Sequence, residues 1–111
     1  AVDALVDLDL PRPRPDGGAL VAHALAIDGY GNVALDAERA DLEPAGLAAD
    51  GAFAANGAPA RWGRTFADVA DGELLLYEDA YRTLALAVDR GSAAERLGLR
   101  PDDEVRLERR G

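Results

Sequence analysis

The sequence predicts an all-β domain: a small antiparallel barrel-like fold of about seven short strands with one short helix. Three observations carry this reading. Apolar residues recur with a period of two through most of the chain, turn-forming residues punctuate it at near-regular spacing, and only one stretch carries both a helix start and a helix stop. A chain of 111 residues is the length of one domain.

Residues 1–18 read as an interdomain linker remnant, ahead of a barrel domain over 19–111. Pro11, Pro13 and Pro15 alternate with arginines, which favours extended, polyproline-like backbone and forbids a central strand or helix. A linker at the start implies a larger domain upstream. After the Asp16-Gly17-Gly18 turn, the run from Ala19 to Ile27 sets Leu20, Ala22, Ala24 and Ala26 against Val21, His23, Leu25 and Ile27. Both faces are apolar, so a buried strand is expected. Asp28 to Asn32 then form a turn, with two glycines around an aromatic, and "VALD" resumes the extended run.

From Ala37 to Gly46, acids mixed with Leu42 and a break at Pro44 suit a short helix or irregular crossover. Two extended runs, "GAFAANG" and "APARWGR", meet at Asn56-Gly57, the strongest short hairpin signal in the chain. A second hairpin is expected where Glu73–Asp79 and Thr83–Asp89 are separated by Ala80, Tyr81 and Arg82. In "GSAAERLGL", Ser92 is placed as a helix N-cap, Glu95 at its third position and Gly98 as the stop. Arg100 to Asp103 make a turn before a last strand, "EVRLER".

Composition narrows the function classes. With 12 Lys+Arg against 21 Asp+Glu, the net charge of −9 opposes binding through nucleic-acid phosphates, which needs clustered positive charge. No cysteine is present, and a single histidine precludes a multi-histidine metal site. No apolar stretch reaches the roughly 20 residues of a membrane span, and no signal-peptide pattern opens the chain. A soluble, cytoplasmic domain with no nucleic-acid or membrane partner is expected.

The obvious catalytic constellations are missing. Asp102-Asp103 and Glu78-Asp79 sit in turn-like contexts, where solvation accounts for them. His23 lies in an apolar strand with no serine or cysteine at triad spacing, which marks it as a satisfied structural histidine. Gly29 and Gly31 give G-x-G before a strand, not the longer pattern that opens a helix beneath a pyrophosphate.

Three segments in order, "IDGYGNVALD", "GRTFADVADGELLLYEDAY" and "LALAVDRGSAAERLGL", resemble the C-terminal domain of the S-adenosylmethionine hydroxide adenosyltransferases, the family related to the fluorinases and chlorinases. The likeness spans about 19–109. The resemblance implies a substrate, S-adenosylmethionine, hydrolysed to adenosine and methionine with no further cofactor. It also implies a catalytic N-terminal α/β domain outside this chain, a homotrimer, and a ligand held between this domain and the N-terminal domain of a neighbouring subunit. No catalytic residue is expected here, and the chain alone is expected to be inactive.

The resemblance carries roles to particular residues. Asp28 matches an aspartate facing the methionine ammonium, and Asn32 an asparagine pairing with the adenine edge. Tyr30 stands for the usual phenylalanine of that turn, and Phe66 falls where an aromatic near the adenine is expected; either could stack on a base. Asp79-Ala80-Tyr81-Arg82 replaces an Asn-Ser-x-Gly turn. Ala80 lacks the hydroxyl for the methionine carboxylate, which Arg82 would replace by pointing inward, with Tyr81 between them. Val88, Asp89 and Arg90 would offer mainly backbone groups to the adenine. Nothing selects halide over water.

Two other functions compete. "GSAAERLGLRPDDEV" also resembles the helix-and-turn segment of a PDZ domain, which implies peptide binding, although "DGYGNV" is a poor carboxylate-binding loop. A structural oligomerisation domain would keep the assembly and bind no nucleoside.

Overall fold

The structure is a computed structural model and describes residues 12–69 and 72–110. Its strands are β1 (Arg14–Asp16), β2 (Ala19–Ile27), β3 (Val33–Glu38), β4 (Ala52–Ala55), β5 (Ala58–Trp62), β6 (Leu74–Glu78), β7 (Thr83–Val88) and β8 (Glu104–Arg109), with one helix, α1 (Ala93–Leu97). Seven of them close in the order β2-β3-β7-β6-β5-β4-β8 and back to β2; β1 adds to β2 from outside the ring. Among the described residues, the barrel and a single short α-helix are as the sequence predicts.

The eighth strand is the surprise at the start. Arg14–Asp16 pairs antiparallel with Val21–Ala19, so the proline-rich segment contributes an edge strand, where Pro15 needs no ladder on its outer side. The remainder of the expected linker, residues 1–11, lies outside the described residues. Closure then rests on β2. Its first half pairs with β8, from Ala19 opposite Glu108 to His23 opposite Glu104, and its second half pairs with β3. A register shift between Ala24 and Ala26 marks the changeover. Past the end of β8, Leu25 and Ala26 emerge into solvent, so the expected burial of this strand holds only from Ala19 to Ala24.

One ladder departs from the antiparallel expectation: β5 and β6 run parallel, Ala60 opposite Leu74 and Trp62 opposite Leu76. A parallel neighbour requires a crossover rather than a tight turn. The segment that enters it after β5, residues 63–69, holds Phe66 on the outside of the barrel. Gly63 fits there because a side chain would meet Asp68 Cβ at 2.6 Å and Leu75 Cδ1 at 3.0 Å.

The period-2 pattern fills the interior. Leu74, Leu76, Leu84, Leu86, Val105 and Leu107 point inward with Phe53, Val33 and Leu35, all fully buried. Each contributes roughly 1.5–3 kcal/mol of transfer free energy. The 37–46 segment forms two short 3-10 turns, Arg39–Asp41 and Glu43–Ala45, and sends Leu42 and Ala45 into the same core. A second, smaller apolar layer matters more for the site. Leu75, Ala85 and Ala87 face outward from β6 and β7 yet are only 2–3% exposed.

Candidate functional site

The turn between β2 and β3 is built around one carboxylate. Asp28 Oδ1 accepts from the backbone N–H of Tyr30 (2.8 Å) and of Asn32 (3.0 Å), and Oδ2 accepts from Asn32 Nδ2 at 3.0 Å. The Asp28 and Asn32 backbones also pair, N to O at 3.1 Å. Partial desolvation pushes the Asp28 carboxyl up, but the hydrogen bonds from Asn32 and Tyr30, with the nearby Gly31 N–H that itself donates to the Asp28 backbone carbonyl at 3.0 Å, together outweigh it and hold its pKa below the ordinary 3.8. Asp28 is therefore ionised at neutral pH. A carboxylate has about four acceptor positions, and three are used internally, which leaves one open. Asn32 keeps one amide N–H and its carbonyl oxygen after bonding Asp28, a donor and an acceptor side by side.

Gly31 fixes this turn to the rest of the barrel. Its φ is +83°, and its carbonyl accepts from Ala94 N–H at 3.0 Å in the first turn of α1. A Cβ at Gly31 would lie 1.9 Å from Ser92 Oγ and 2.9 Å from Ser92 Cα. Ser92 is the expected N-cap, its hydroxyl accepting from Glu95 N–H at 3.1 Å, and Gly98 ends the helix in the left-handed region. The helix read from the sequence as a structural closure thus also positions the Asp28–Asn32 turn.

The β6–β7 turn repeats the same construction. Asp79 Oδ1 accepts from Tyr81 N–H (2.9 Å) and Thr83 N–H (3.1 Å), the Thr83 hydroxyl takes the place of the Asn32 amide, and Asp79 N bonds Thr83 O at 2.9 Å. The fourth position, glycine in one turn, is Arg82 in the other, at φ +64°. Tyr30 and Tyr81 occupy equivalent places and project into solvent, 84% and 88% exposed. The signal lay in the sequence as Asp-x-Tyr-x-Asn and Asp-x-Tyr-x-Thr. Because β3 and β7 run antiparallel, with Val33 opposite Leu86 and Glu38 opposite Thr83, the Asp28 turn meets the end of β7 while the Asp79 turn meets the end of β3.

Two adjoining hollows open on the outer surface at the Asp28 end, and both are lined by Asn32 and Phe66. The first, about 420 Å³, adds Tyr30, Val88, Arg90 and Gly91. The second, about 270 Å³, adds Tyr77 over a floor of Leu75 and Ala87. Of the residues singled out from the sequence, Tyr30, Asn32, Phe66, Val88 and Arg90 thus come together, with Asp28 bonded to two of them. Asp89 lies between Val88 and Arg90 in that turn. Phe66 sits in a turn capped by Thr65, whose hydroxyl accepts from Ala67 N–H, while Asp68 accepts from the N–H groups of Arg64 and Thr65. Those backbone bonds hold the Asp68 carboxyl below its ordinary range.

Arg82 does not turn toward these hollows. It lines a third, of about 610 Å³, with Glu38, Arg39, Leu42 and Glu78, and Ala80 and Tyr81 beside it are exposed. His23 is held by Asp36, which accepts from its backbone N–H at 2.8 Å and pairs with Nδ1 at 2.9 Å, the structural use expected of it. Among the described residues, no three His, Cys, Asp or Glu side chains are grouped to hold a metal ion, and no helix is long and apolar enough to cross a membrane.

Tyr77 is the site residue that the sequence reading passed over. The strand period placed it on β6 without distinguishing it from a surface tyrosine. Burial, then the charges of Asp79 and Asp28, push its phenol above the ordinary pKa of 10.0, so it remains a proton donor at neutral pH.

Comparisons with known proteins identify the family of the domain. Residues 22–106 match the family model for the SAM hydroxide adenosyltransferase C-terminal domain. The chain is 39% identical over 103 residues to an (R)-S-adenosyl-L-methionine hydrolase from Salinispora tropica, covering 93% of this chain and 38% of that protein. A protein of the same name from Salinispora arenicola is 36% identical over 104 residues, covering 94% and 38%. The chain therefore spans 38% of the length of these curated relatives. Among solved structures, a conserved protein from Thermotoga maritima superposes with a TM-score of 0.78 at 22% identity, over 97% of this chain and 49% of that one, which supports the fold. A conserved hypothetical protein from Thermus thermophilus superposes with a TM-score of 0.62 at 31% identity, over 88% of this chain and 38% of that one. With the family model matched over most of its length, this chain belongs to the SAM hydroxide adenosyltransferase C-terminal domain family.

Proposed function

We propose that this domain forms the nucleoside-binding wall of an S-adenosylmethionine hydrolase that produces adenosine and methionine. The N-terminal domain of a neighbouring subunit completes the site in a homotrimer. The observation that carries the reading is the Asp28 clamp, which holds the Asn32 amide where it lines, with Phe66, both of the adjoining hollows. An adenine edge places a donor next to an acceptor, and Asn32 retains that complementary pair. Phe66, 39% exposed, offers a face for the ring to lie against. The open acceptor position of Asp28 suits the ammonium of the methionine end, a charge-assisted contact.

In this reading the chain's residues bind and orient. Water activation belongs to the other domain, and the reaction gains from holding the sulfonium substrate in one pose. Tyr30, Val88, Asp89 and Arg90 frame the adenine, the last three through backbone groups. The methionine carboxylate falls to the turn of Ala80, Tyr81 and Arg82, and Arg82 reaches it only by leaving the hollow it lines at the opposite end of β7 from Asn32. The likeness of residues 91–105 to a PDZ segment is confined to α1 and the turn after it, within a chain that closes as a barrel.

The test uses the full-length protein carrying this domain, incubated with S-adenosylmethionine, with adenosine and methionine separated by chromatography. Both products should form. Asn32→Ala, which removes a paired donor and acceptor, should lower kcat/KM by about 10- to 100-fold. A correctly folded Asn32→Ala variant with unchanged turnover would refute the proposal.

A further inference from the structure

Tyr77 has features that the barrel does not explain. On β6 it pairs with Ala85 of β7 and faces outward, in the same row as the buried Leu75. In the 270 Å³ hollow Leu75, Ala87 and Phe66 give it an apolar surround on one side, and Asn32, Arg64 and Thr65 complete the lining. Its hydroxyl makes no hydrogen bond among the described residues. Thr65, in the same wall, is already engaged in capping the 66–68 turn. Tyr77 is therefore an uncommitted donor beside the apolar surface of Leu75, Ala87 and Phe66, and burial together with the charges of Asp79 and Asp28 keeps its proton in place.

An apolar pocket discriminates weakly between ligands of one shape, whereas a single placed polar group discriminates strongly, since a mismatched partner leaves it unpaired. We propose that Tyr77 is a specificity-determining residue, its hydroxyl donating a hydrogen bond to a ring nitrogen of a purine lodged against Phe66. The inference rests on the nucleoside-binding reading above and extends it. Asn32 reads one edge of the base and Tyr77 reads a nitrogen on another.

The experiment compares the full-length protein with its Tyr77→Phe variant. Calorimetry measures binding of adenosine and of 1-deaza-, 3-deaza- and 7-deazaadenosine, each lacking one ring nitrogen, and S-adenosylmethionine turnover is followed on the same samples. The variant retains the ring and the strand position, and circular dichroism checks its fold. Wild type should lose about three- to tenfold in affinity for one deaza analogue through the Tyr77 hydrogen bond. Tyr77→Phe should lose the same factor for adenosine and bind adenosine and that analogue equally, while any nitrogen read by Asn32 remains discriminated. If the variant hydrolyses substrate but binds all four nucleosides as wild type does, the Tyr77 proposal fails and the hydrolase reading stands. If the discrimination collapses as described but no adenosine forms from S-adenosylmethionine, Tyr77 keeps its role and the hydrolase reading fails. Wild type that binds no adenosine overturns both.

Discussion

Replacing Gly31 by alanine should be among the most damaging single-atom additions to this domain. The position is left-handed, at φ +83°, where a Cβ costs roughly 1–2 kcal/mol. The new methyl would also lie 1.9 Å from Ser92 Oγ, 2.5 Å from its Cβ and 2.9 Å from its Cα. A hydroxyl can rotate away, but the Ser92 backbone cannot, so α1 must shift. Overpacking of this kind costs about 1–3 kcal/mol. The shift also threatens the Ala94 N–H to Gly31 carbonyl bond and the Ser92 cap, each worth about 1 kcal/mol. We expect Gly31→Ala to destabilise the fold by about 3–5 kcal/mol, a large part of a stability of roughly 5–15 kcal/mol. Urea unfolding read through Trp62, which is half-buried beneath Arg39, provides the assay. Gly17→Ala is the control, because Gly17 has φ +58° but nothing within 4 Å of an added Cβ. It should lose only the backbone cost of about 1 kcal/mol. Equal losses at the two positions would refute the close packing of α1 on the Asp28 turn.

Three further outcomes follow from the same geometry. Arg82→Gly, at a left-handed position with φ +64°, should stabilise the domain by about 1 kcal/mol in urea; a loss would mean that the Arg82 side chain holds its turn together. Asn56→Ala should cost about 1–2 kcal/mol, because Asn56 sits at φ +50° and its Oδ1 accepts from Arg106 N–H at 2.7 Å, tying the β4–β5 hairpin to β8. Asp16, Asp28 and Asp68 all have carboxyls held below 3.8 in the folded state, by Arg106, by the Asn32–Tyr30 turn, and by the Arg64 and Thr65 N–H groups respectively. The unfolded chain therefore binds more protons as pH falls, so their stabilisation is complete above 3.8 and is lost as pH drops through their folded values. Carboxyl titration by NMR should place all three below 3.8, and Asp28 titrating at or above that value would contradict the clamp.

Local chemistry made much of this fold legible. Asn56-Gly57 forms its hairpin, with both residues at positive φ, and Ser92 and Gly98 bound α1, because each signal depends on neighbours a few residues away. The Asp28–Asn32 turn was legible for the same reason. Three features were not. The short β1 hid behind prolines, which exclude a central strand but tolerate an edge. The parallel β5–β6 pairing joins segments across a crossover, and a period-2 pattern carries no information on strand direction. Tyr77 reads as an ordinary strand residue until closure of the barrel places it over Leu75 and Ala87 beside Phe66. The resemblance assigns Arg82 to the methionine carboxylate, and the antiparallel register of β3 and β7 sets its turn at the opposite end of β7 from Asn32.

In the proposed site the nucleoside would lie on this domain, between Asn32 and Phe66, and face the neighbouring subunit. The most direct measurement is a crystal structure of the full-length protein with adenosine bound. The adenine ring should lie against Phe66, its edge hydrogen-bonded to Asn32, with the N-terminal domain of an adjacent subunit closing over the sugar. Adenosine bound wholly within another domain, with Asn32 and Phe66 open to solvent, would contradict it.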